Sequence, residues 1–251
     1  MVRHTLTYLF IVLLGATPAN AAEITVLTPS VTYNAGLRDL AVLFTQKTGN
    51  KVTITRDPMA KMVDDTQKAT PPADVVMLPD GLMDVLEKDG GVKSGSRVTI
   101  GRVEVGLAVK AGAPHPDIST VPKLIAVLKS AQAVMYSNPY HGSLEAEIID
   151  RLLKRPEFHD VHGEIGTKGE GGQSLARGQG DMALQIICEV YPYPEISLVG
   201  VLPPELNAHI DMVAAVSARS ANADDAQAFV RFVTSAEAAP VWKAKGLDQI
   251  K

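Results

Sequence analysis

Three polar loops of this 251-residue chain have the composition of an anion-binding site. Residues 28–32, 56–61 and 137–143 each join the end of an apolar strand pattern to the start of a helical one. Helix N-termini present free N–H groups, and ligands of open α/β sheets bind beyond the carboxyl ends of the strands. The sequence therefore predicts a small-anion site at these loops. Its predicted ligand-binding side chains are Thr28, Ser30, Thr32, Arg56, Asn138, His141 and Ser143.

Several of these side chains have a second interpretation. Ser30, Thr32 and Ser143 are also suited to cap helices, because a hydroxyl oxygen accepts a hydrogen bond from a free N–H group of the first turn. The two roles are compatible, since a capping side chain already lies at the anion-binding end of the helix. Arg56 is the cation that the loop argument places best, and its alternative role is that of a solvated surface charge.

A further polar pair flanks an apolar stretch late in the chain. Gln185, the eighth predicted ligand-binding residue, and Glu189 lie on either side of residues 186–188, where they contact ligand or anchor a hinge. Cys188 is the single cysteine, so no intrachain disulfide forms and a cysteine-ligated zinc or iron–sulfur site lacks ligands. Its apolar setting predicts a buried thiol.

The familiar sequence signatures of enzymes are absent. The chain has no G-x-S-x-G, no H-E-x-x-H, no Walker loop and no G-x-G-x-x-G after a strand. Residues 163–172 are glycine-rich but follow no strand pattern, which predicts a flexible surface loop rather than a phosphate cradle. His159 and His162 are spaced by three outside a helix, a weak metal signal. We therefore expect a protein without enzymatic activity, metal or cofactor.

Charge and the amino terminus limit the partners and the compartment. Lys and Arg total 24 against 28 Asp and Glu, so there is no basic field to collect nucleic acid or anionic lipid. Residues 1–21 begin with Arg3 and His4, continue with an apolar stretch and end in an A-x-A pattern, which predicts a secretory signal peptide cleaved after Ala21. Its roughly ten apolar residues are too few to span a bilayer. The mature chain is thus expected outside the cytoplasm.

Strand and helix patterns alternate along the mature chain. The first strand patterns cover residues 23–28, 51–55, 73–78 and 103–109, with helices between them, and predict a parallel sheet covered by helices. Residues 121–217 repeat the alternation as a second α/β unit. No linker separates the two units, which predicts two lobes between which the chain crosses more than once.

In this order the motifs resemble a known family. The apolar start at residues 24–27, the Ala73–Val76 strand and the closing helices over residues 229–247 are similar to those of periplasmic solute-binding proteins of molybdate-type ABC transporters. Residues 109–118 and 200–206 are particularly similar to a divergent branch of that group. The resemblance covers nearly the whole mature chain.

The resemblance implies a fold, a function and a location. The fold would be α/β, of the two-lobed type II periplasmic binding class, with a mostly parallel sheet flanked by helices in each lobe and two crossing segments. Lobe 1 would comprise residues 22–105 and 213–251, and lobe 2 residues 106–212. The protein would be a periplasmic monomer that captures a small anion between the lobes and delivers it to the membrane permease of an ABC transporter.

The identity of the anion stays open at the sequence level. The first loop keeps the hydroxyls that the resemblance leads us to expect, Ser30 and Thr32, whereas residues 56–60 contain none. A molybdate- or tungstate-like oxyanion is one candidate. A small organic carboxylate paired with Arg56, and with His141, is the other, because guanidinium binds carboxylate in a two-pronged fashion. A ligand-sensing partner of a membrane receptor and an exported hydrolase are the alternative functions.

Overall fold

A computed structural model describes residues 21–70, 72–141, 143–167 and 170–250 of the chain. The predicted signal peptide lies outside these ranges except for its last residue. Within them, no helix combines the length and the hydropathy that crossing a membrane requires.

Strands and helices alternate through the first part of the chain. They are β1 (Glu23–Thr28), α1 (Ser30–Thr32), α2 (Arg38–Thr48), β2 (Lys51–Arg56), α3 (Met59–Lys68), β3 (Val75–Pro79), α4 (Asp80–Lys88) and β4 (Val98–Lys110). A π-helical segment, Tyr33–Leu37, joins α1 to α2. Gly49 ends α2 in the left-handed conformation, which glycine adopts at no steric cost.

The second part repeats the alternation and then returns to the first. Its elements are α5 (Val121–Ser130), β5 (Val134–Tyr136), α6 (Leu144–Leu153), β6 (Gly163–Ile165), α7 (Gly171–Ala176), β7 (Met182–Ile186), β8 (Ile196–Val201), β9 (His209–Val216), α8 (Ala223–Val233) and α9 (Ala239–Ala244). Most of the predicted strands and helices are confirmed within a few residues.

The strands form one continuous, mixed sheet. Its order is β2-β1-β3-β9-β4-β7-β5-β6, with β8 also paired to β4. Strand β1 is parallel to β2 and β3, and β5 is parallel to β6 and β7. Strand β4 changes partners along its length: residues 98–104 pair with β9, whereas residues 105–110 pair with β7 and β8. A single strand therefore belongs to both halves of the sheet.

Two expectations are wrong in detail. The strand predicted at residues 103–109 does not extend a parallel sheet, because β9 returns from the second half and inserts antiparallel between β3 and β4. The glycine-rich segment is not simply a surface loop, since it contributes β6 and the start of α7. Gly171 and Gly172 are buried, and a Cβ at Gly171 would lie 2.6 Å from the Cα of Tyr136.

Helices on both sides of the sheet close the core. Phe44 of α2 meets Phe229 of α8 edge to face, with ring centroids 5.1 Å apart. Trp242 of α9 is fully buried and donates its indole N–H to the carbonyl of Val233 at 2.7 Å. Burying each such aromatic side chain contributes about 2–3 kcal/mol. Cys188 is buried as predicted. The packing holds the strand ends, and hence the loops beyond them, in fixed positions.

Candidate functional site

A cleft of about 580 Å³ lies where the loops of the two halves meet. Residues from both predicted lobes line it. They are Pro29, Ser30, Val31, Arg56, Asp57, Pro58, Met59, Ser143, Glu145, Glu170, Ile186 and Glu189. The volume is within the range of small-molecule sites in proteins, roughly 300–1,000 Å³.

Strand pairing explains why the first-half loops meet. Strands β1 and β2 are parallel neighbours with Thr28 opposite Arg56, so the chain leaves both strands at the same edge of the sheet. Arg56 stacks over the ring of Tyr33, with the guanidinium carbon 4.7 Å from the ring centroid. This cation–π contact orients the guanidinium without neutralising its charge. Arg56 is the one Lys or Arg among the described residues that line the cleft.

The neighbouring acidic group of the first half is already paired. Asp57 accepts a hydrogen bond from the ammonium of Lys61 at 2.8 Å, and this contact lowers the pKa of the Asp57 carboxyl. The ammonium nitrogen of Lys61 is also 2.9 Å from Oδ2 of Asp65. The Asp57 carboxyl is therefore paired with Lys61, on the same side of the cleft as Arg56.

The predicted site residues separate into two groups in the structure. Ser30, Arg56 and Ser143 line the cleft. Ser143 also caps α6, since its hydroxyl accepts a hydrogen bond from the N–H of Ala146 at 3.3 Å. Both roles considered for this serine therefore occur together.

Three of the other predicted residues, Thr28, Thr32 and Asn138, do not line the cleft. Thr28 is fully buried and its hydroxyl donates to the carbonyl of Pro29. Thr32 is fully buried, and its hydroxyl has no hydrogen-bond partner among the described residues. Asn138 accepts a hydrogen bond from the N–H of Tyr140 at 2.9 Å. For His141 only the backbone, in a 3₁₀ turn, is within the described part of the chain.

The second half of the chain gives the cleft three carboxyl groups, here called the glutamate wall: Glu145, Glu170 and Glu189. Glu145 is 4% exposed and Glu189 5%. Burial, with the charge of Glu170 as a second cause, raises the pKa of Glu145 to about 8. Burial and the two neighbouring carboxyls raise the pKa of Glu189 well above its ordinary value. Burial also raises the pKa of Glu170.

Gln185 supports the glutamate wall through hydrogen bonds. It is fully buried, and its amide oxygen accepts from the N–H of Gly172 at 3.1 Å, while its amide nitrogen donates to Glu189 Oε2 at 2.8 Å. The Ser137 hydroxyl lies 3.5 Å from Glu145 Oε1 and from the Gln185 oxygen. Gln185 thus positions a cleft residue and lies behind the surface of the cleft.

Sequence reasoning missed Glu145 and Glu170 as cleft residues. Glu145 stands in the first turn of a helix, where acidic residues are common for electrostatic reasons alone. Glu170 precedes α7 within the glycine-rich segment. The signal that the sequence does offer for this side of the cleft is the pair Gln185 and Glu189, two polar residues around an apolar stretch.

His159 and His162 do not form a metal site in the part of the chain that the structure describes. Among the described residues, no three His, Cys, Asp or Glu side chains are grouped so as to hold a metal ion. The ring Nδ1 atoms of His159 and His162 each contact a backbone carbonyl, of Pro156 and Gln132 respectively.

Comparison with known proteins identifies the family. Residues 24–248 match the sequence model of the family described as bacterial extracellular solute-binding protein. The chain belongs to this family. The resemblance inferred from the sequence is therefore confirmed.

Solved structures confirm the fold class. The substrate-binding domain described as that of a molybdenum ABC transporter from Clostridium difficile superposes with a TM-score of 0.75, at 14% identity, over 92% of this chain and 100% of that one. The periplasmic molybdate-binding protein of Azotobacter vinelandii superposes with a TM-score of 0.67, at 18% identity, over 91% of this chain and 100% of that one. At these identities the likeness establishes the periplasmic binding protein fold.

One sequence relative is named as an enzyme rather than as a binding protein. The chain is 28% identical over 249 residues to the aconitate isomerase of a Pseudomonas species. The match covers 95% of this chain and 94% of the relative. The prediction of no enzymatic activity therefore agrees with the family description and contrasts with this relative.

Proposed function

We propose that the chain is an exported solute-binding protein that captures a small organic carboxylate in the cleft and delivers it to the permease of an ABC transporter. The observation that carries the proposal is Arg56, the cation that lines the cleft and has no carboxylate partner among the described residues. A guanidinium binds a carboxylate through two parallel hydrogen bonds. Ser30 and Ser143 supply hydroxyl donors beside it.

The charge of the cleft favours a carboxylate over a metal oxyanion. A molybdate or tungstate ion carries two negative charges spread over oxygens on every side, whereas Arg56 is the one Lys or Arg among the described lining residues. An organic acid is asymmetric: it directs its carboxylate to Arg56 and the rest of the molecule elsewhere. The name of the relative, aconitate isomerase, also points to a carboxylic acid.

Ligand capture is proposed to close the two predicted lobes, residues 22–105 with 213–251 and residues 106–212. The boundaries between these lobes fall within β4, at residues 105–106, and within β9, at residues 212–213. Closure would bring the Arg56 side of the cleft toward the glutamate wall, with the ligand supplying the contacts that favour the closed state. A monomer in this closed form would dock on the permease.

An isomerase activity is the second candidate, favoured by the relative that matches 95% of this chain. Glu145, with a pKa of about 8, is able to accept or donate a proton near neutral pH, as moving a double bond in an unsaturated acid requires. Incubating the purified protein with cis-aconitate or trans-aconitate and following the mixture by NMR tests it. Unchanged spectra with both isomers would leave the binding role alone.

Arg56 should be required for carboxylate binding. Thermal unfolding of the protein, measured with molybdate, tungstate, sulfate, phosphate and a panel of di- and tricarboxylates, should show that carboxylates stabilise it. Arg56→Ala should then lower the affinity for the best carboxylate at least tenfold, or about 1.4 kcal/mol, because a charge-assisted pair is lost. Calorimetric titration gives both affinities.

Arg38→Ala is the matched control, since Arg38 is exposed, pairs with Asp39 and does not line the cleft. The affinity of the Arg38→Ala variant for the best carboxylate should equal that of the unmodified protein. Stabilisation by molybdate or tungstate alone, or equal affinities for the two variants, would contradict the carboxylate proposal.

A further inference from the structure

Two carboxyl groups of the glutamate wall are buried without a counter-ion. Glu145 and Glu189 are almost completely buried, yet both line the cleft of about 580 Å³. No salt bridge between the described residues involves either of them. A carboxyl group that is buried without a cation stays un-ionised, because the buried charge would be costly. Both side chains are therefore neutral carboxyl groups, each with one O–H donor.

Hydrogen bonds fix the oxygen that carries the proton of Glu189. The N–H of Gly172 donates to Oε1 of Gln185 at 3.1 Å, so the amide nitrogen of Gln185 is turned toward Glu189. This nitrogen donates to Oε2 of Glu189 at 2.8 Å. In a neutral carboxyl group the carbonyl oxygen accepts from an N–H group and the other oxygen bears the hydrogen. The O–H donor of Glu189 is therefore on Oε1.

Glu145 has a similar arrangement with a hydroxyl group in place of the amide. The N–H of Gly171 donates to the hydroxyl oxygen of Ser137 at 3.2 Å, and this hydroxyl lies 3.5 Å from Oε1 of Glu145. Ser137 thus provides a donor to Oε1, which leaves Oε2 of Glu145 to carry the proton. In agreement with this geometry, burial raises the pKa of both carboxyls, that of Glu145 to about 8.

The other titratable groups that face the two carboxyls come from both halves of the chain. Glu170, Cys188 and Tyr193 interact with them electrostatically from the second half. The first half adds Arg56 and Asp57 to the lining of the cleft. The cleft thus has a cation on one side and neutral O–H donors on the other, and both kinds of group bind carboxylate oxygens.

We propose, resting on the proposed capture of a carboxylate, that Glu145 and Glu189 donate hydrogen bonds to a second carboxylate of the ligand and so select di- and tricarboxylates over monocarboxylates. One carboxylate of the ligand pairs with Arg56, and the other accepts the O–H groups of the two glutamic acids. Ordinary carboxyl groups have pKa values of about 4, so both ligand carboxylates are ionised at pH 7 and are strong acceptors. The protons stay on the protein, and the second carboxylate needs no second cation.

Matched ligand pairs provide the first test. Calorimetric titrations at pH 7 compare succinate with butanoate and glutarate with pentanoate, in which a methyl group replaces one carboxylate. The dicarboxylate should bind at least tenfold more tightly, the effect of a hydrogen bond to a charged group. The affinity for succinate should fall about tenfold between pH 7 and pH 9, because Glu145 loses its proton around pH 8.

Substitutions at the wall separate hydrogen-bond donation from a general effect on the cleft. Glu189→Ala should weaken succinate binding at least tenfold. Glu189→Gln should restore most of that affinity, because an amide offers its carbonyl to Gln185 and an N–H donor in place of the O–H group. A double variant, Glu145→Gln with Glu189→Gln, should bind succinate equally at pH 7 and pH 9, since neither amide titrates.

Glu147→Gln is the control, since Glu147 is exposed on α6 and does not line the cleft. It should keep both the affinity for succinate and its decrease between pH 7 and pH 9. Circular dichroism checks that every variant is folded.

The outcomes distinguish this inference from the function on which it rests. Equal affinities for the two members of each ligand pair would overturn the inference and leave carboxylate capture intact. So would an affinity for succinate that does not fall between pH 7 and pH 9, or a Glu189→Gln variant that binds succinate no better than Glu189→Ala. The absence of binding by every mono-, di- and tricarboxylate would overturn the proposed function together with this inference.

Discussion

Glu145 illustrates the limit of residue-level prediction. It stands two residues after the capping Ser143, where an acidic residue is expected to be exposed and stabilised by the helix N-terminus. In the structure it is buried beside Ser137 and Gln185, which come from other elements. Ser30, Arg56 and Ser143 could be placed at the cleft from sequence because each belongs to a polar loop that joins the end of a strand pattern to the start of a helix pattern. The environment of Glu145 depends on residues far along the chain and could not.

The buried carboxyl of Glu145 makes a prediction about pH. Its pKa of about 8 exceeds the ordinary value of 4.5, so the folded state binds its proton more tightly than the unfolded state. The corresponding stability is complete below about pH 4.5 and is lost as the pH rises through about 8. Glu145→Gln should therefore stabilise the protein by roughly 2 kcal/mol at pH 9, and much less at pH 5.

Urea unfolding at the two pH values measures the change in free energy. Glu147→Gln, exposed on the same helix, serves as the control and should match the unmodified protein at both. A Glu145→Gln variant that is no more stable than this control at pH 9 would show that the carboxyl is not held un-ionised.

At the level of elements, local patterns predicted nearly every strand and helix. Hydrophobic periodicity and caps such as Gly49 depend on neighbouring residues, so they are readable from the chain itself. The pairing of β4 is different. Its antiparallel partner β9 comes from the far end of the chain, and no local signal records that β9 inserts between β3 and β4.

The start of α7 gives a prediction at this scale. A Cβ at position 171 would lie 2.6 Å from the Cα of Tyr136 and 2.9 Å from the Met135 oxygen, both backbone atoms that have no room to move. Gly171→Ala should therefore destabilise the protein by about 2–3 kcal/mol, the cost of overpacking. Gly81→Ala, on helix α4 with nothing within 4 Å, should be neutral or stabilising by up to about 1 kcal/mol. Equal unfolding free energies for the two variants would contradict the close contact.

For the whole molecule, the sequence indicated two units with repeated crossings because no linker composition occurs between them. The change of partners within β4, between Glu104 and Val105, is the structural feature that matches this pattern most directly. The predicted lobe boundaries themselves stay a proposal, since the strands form one continuous sheet.

Closure of the cleft is a prediction for the whole molecule. For the mature chain that begins at Ala22, small-angle X-ray scattering should give a radius of gyration near roughly 17 Å, and a value lower by a few per cent at saturating carboxylate. Arg56→Ala at the same ligand concentration should keep the larger value. A ligand that stabilises the protein against heat without changing the scattering would indicate binding to a rigid cleft.

The position of β9 also determines the order in which the chain can fold. Val75 of β3 pairs with Val216 of β9, a partner more than half the chain away, whereas β5, β6, β7 and β8 are close together in sequence. During synthesis the second half can assemble while β3 and the first part of β4 still have open edges. Long-range pairing of this kind is slow, and open edges invite association with other chains. Strand β9, within the last 43 residues, therefore completes the sheet, and a chain that ended before it would be prone to aggregate.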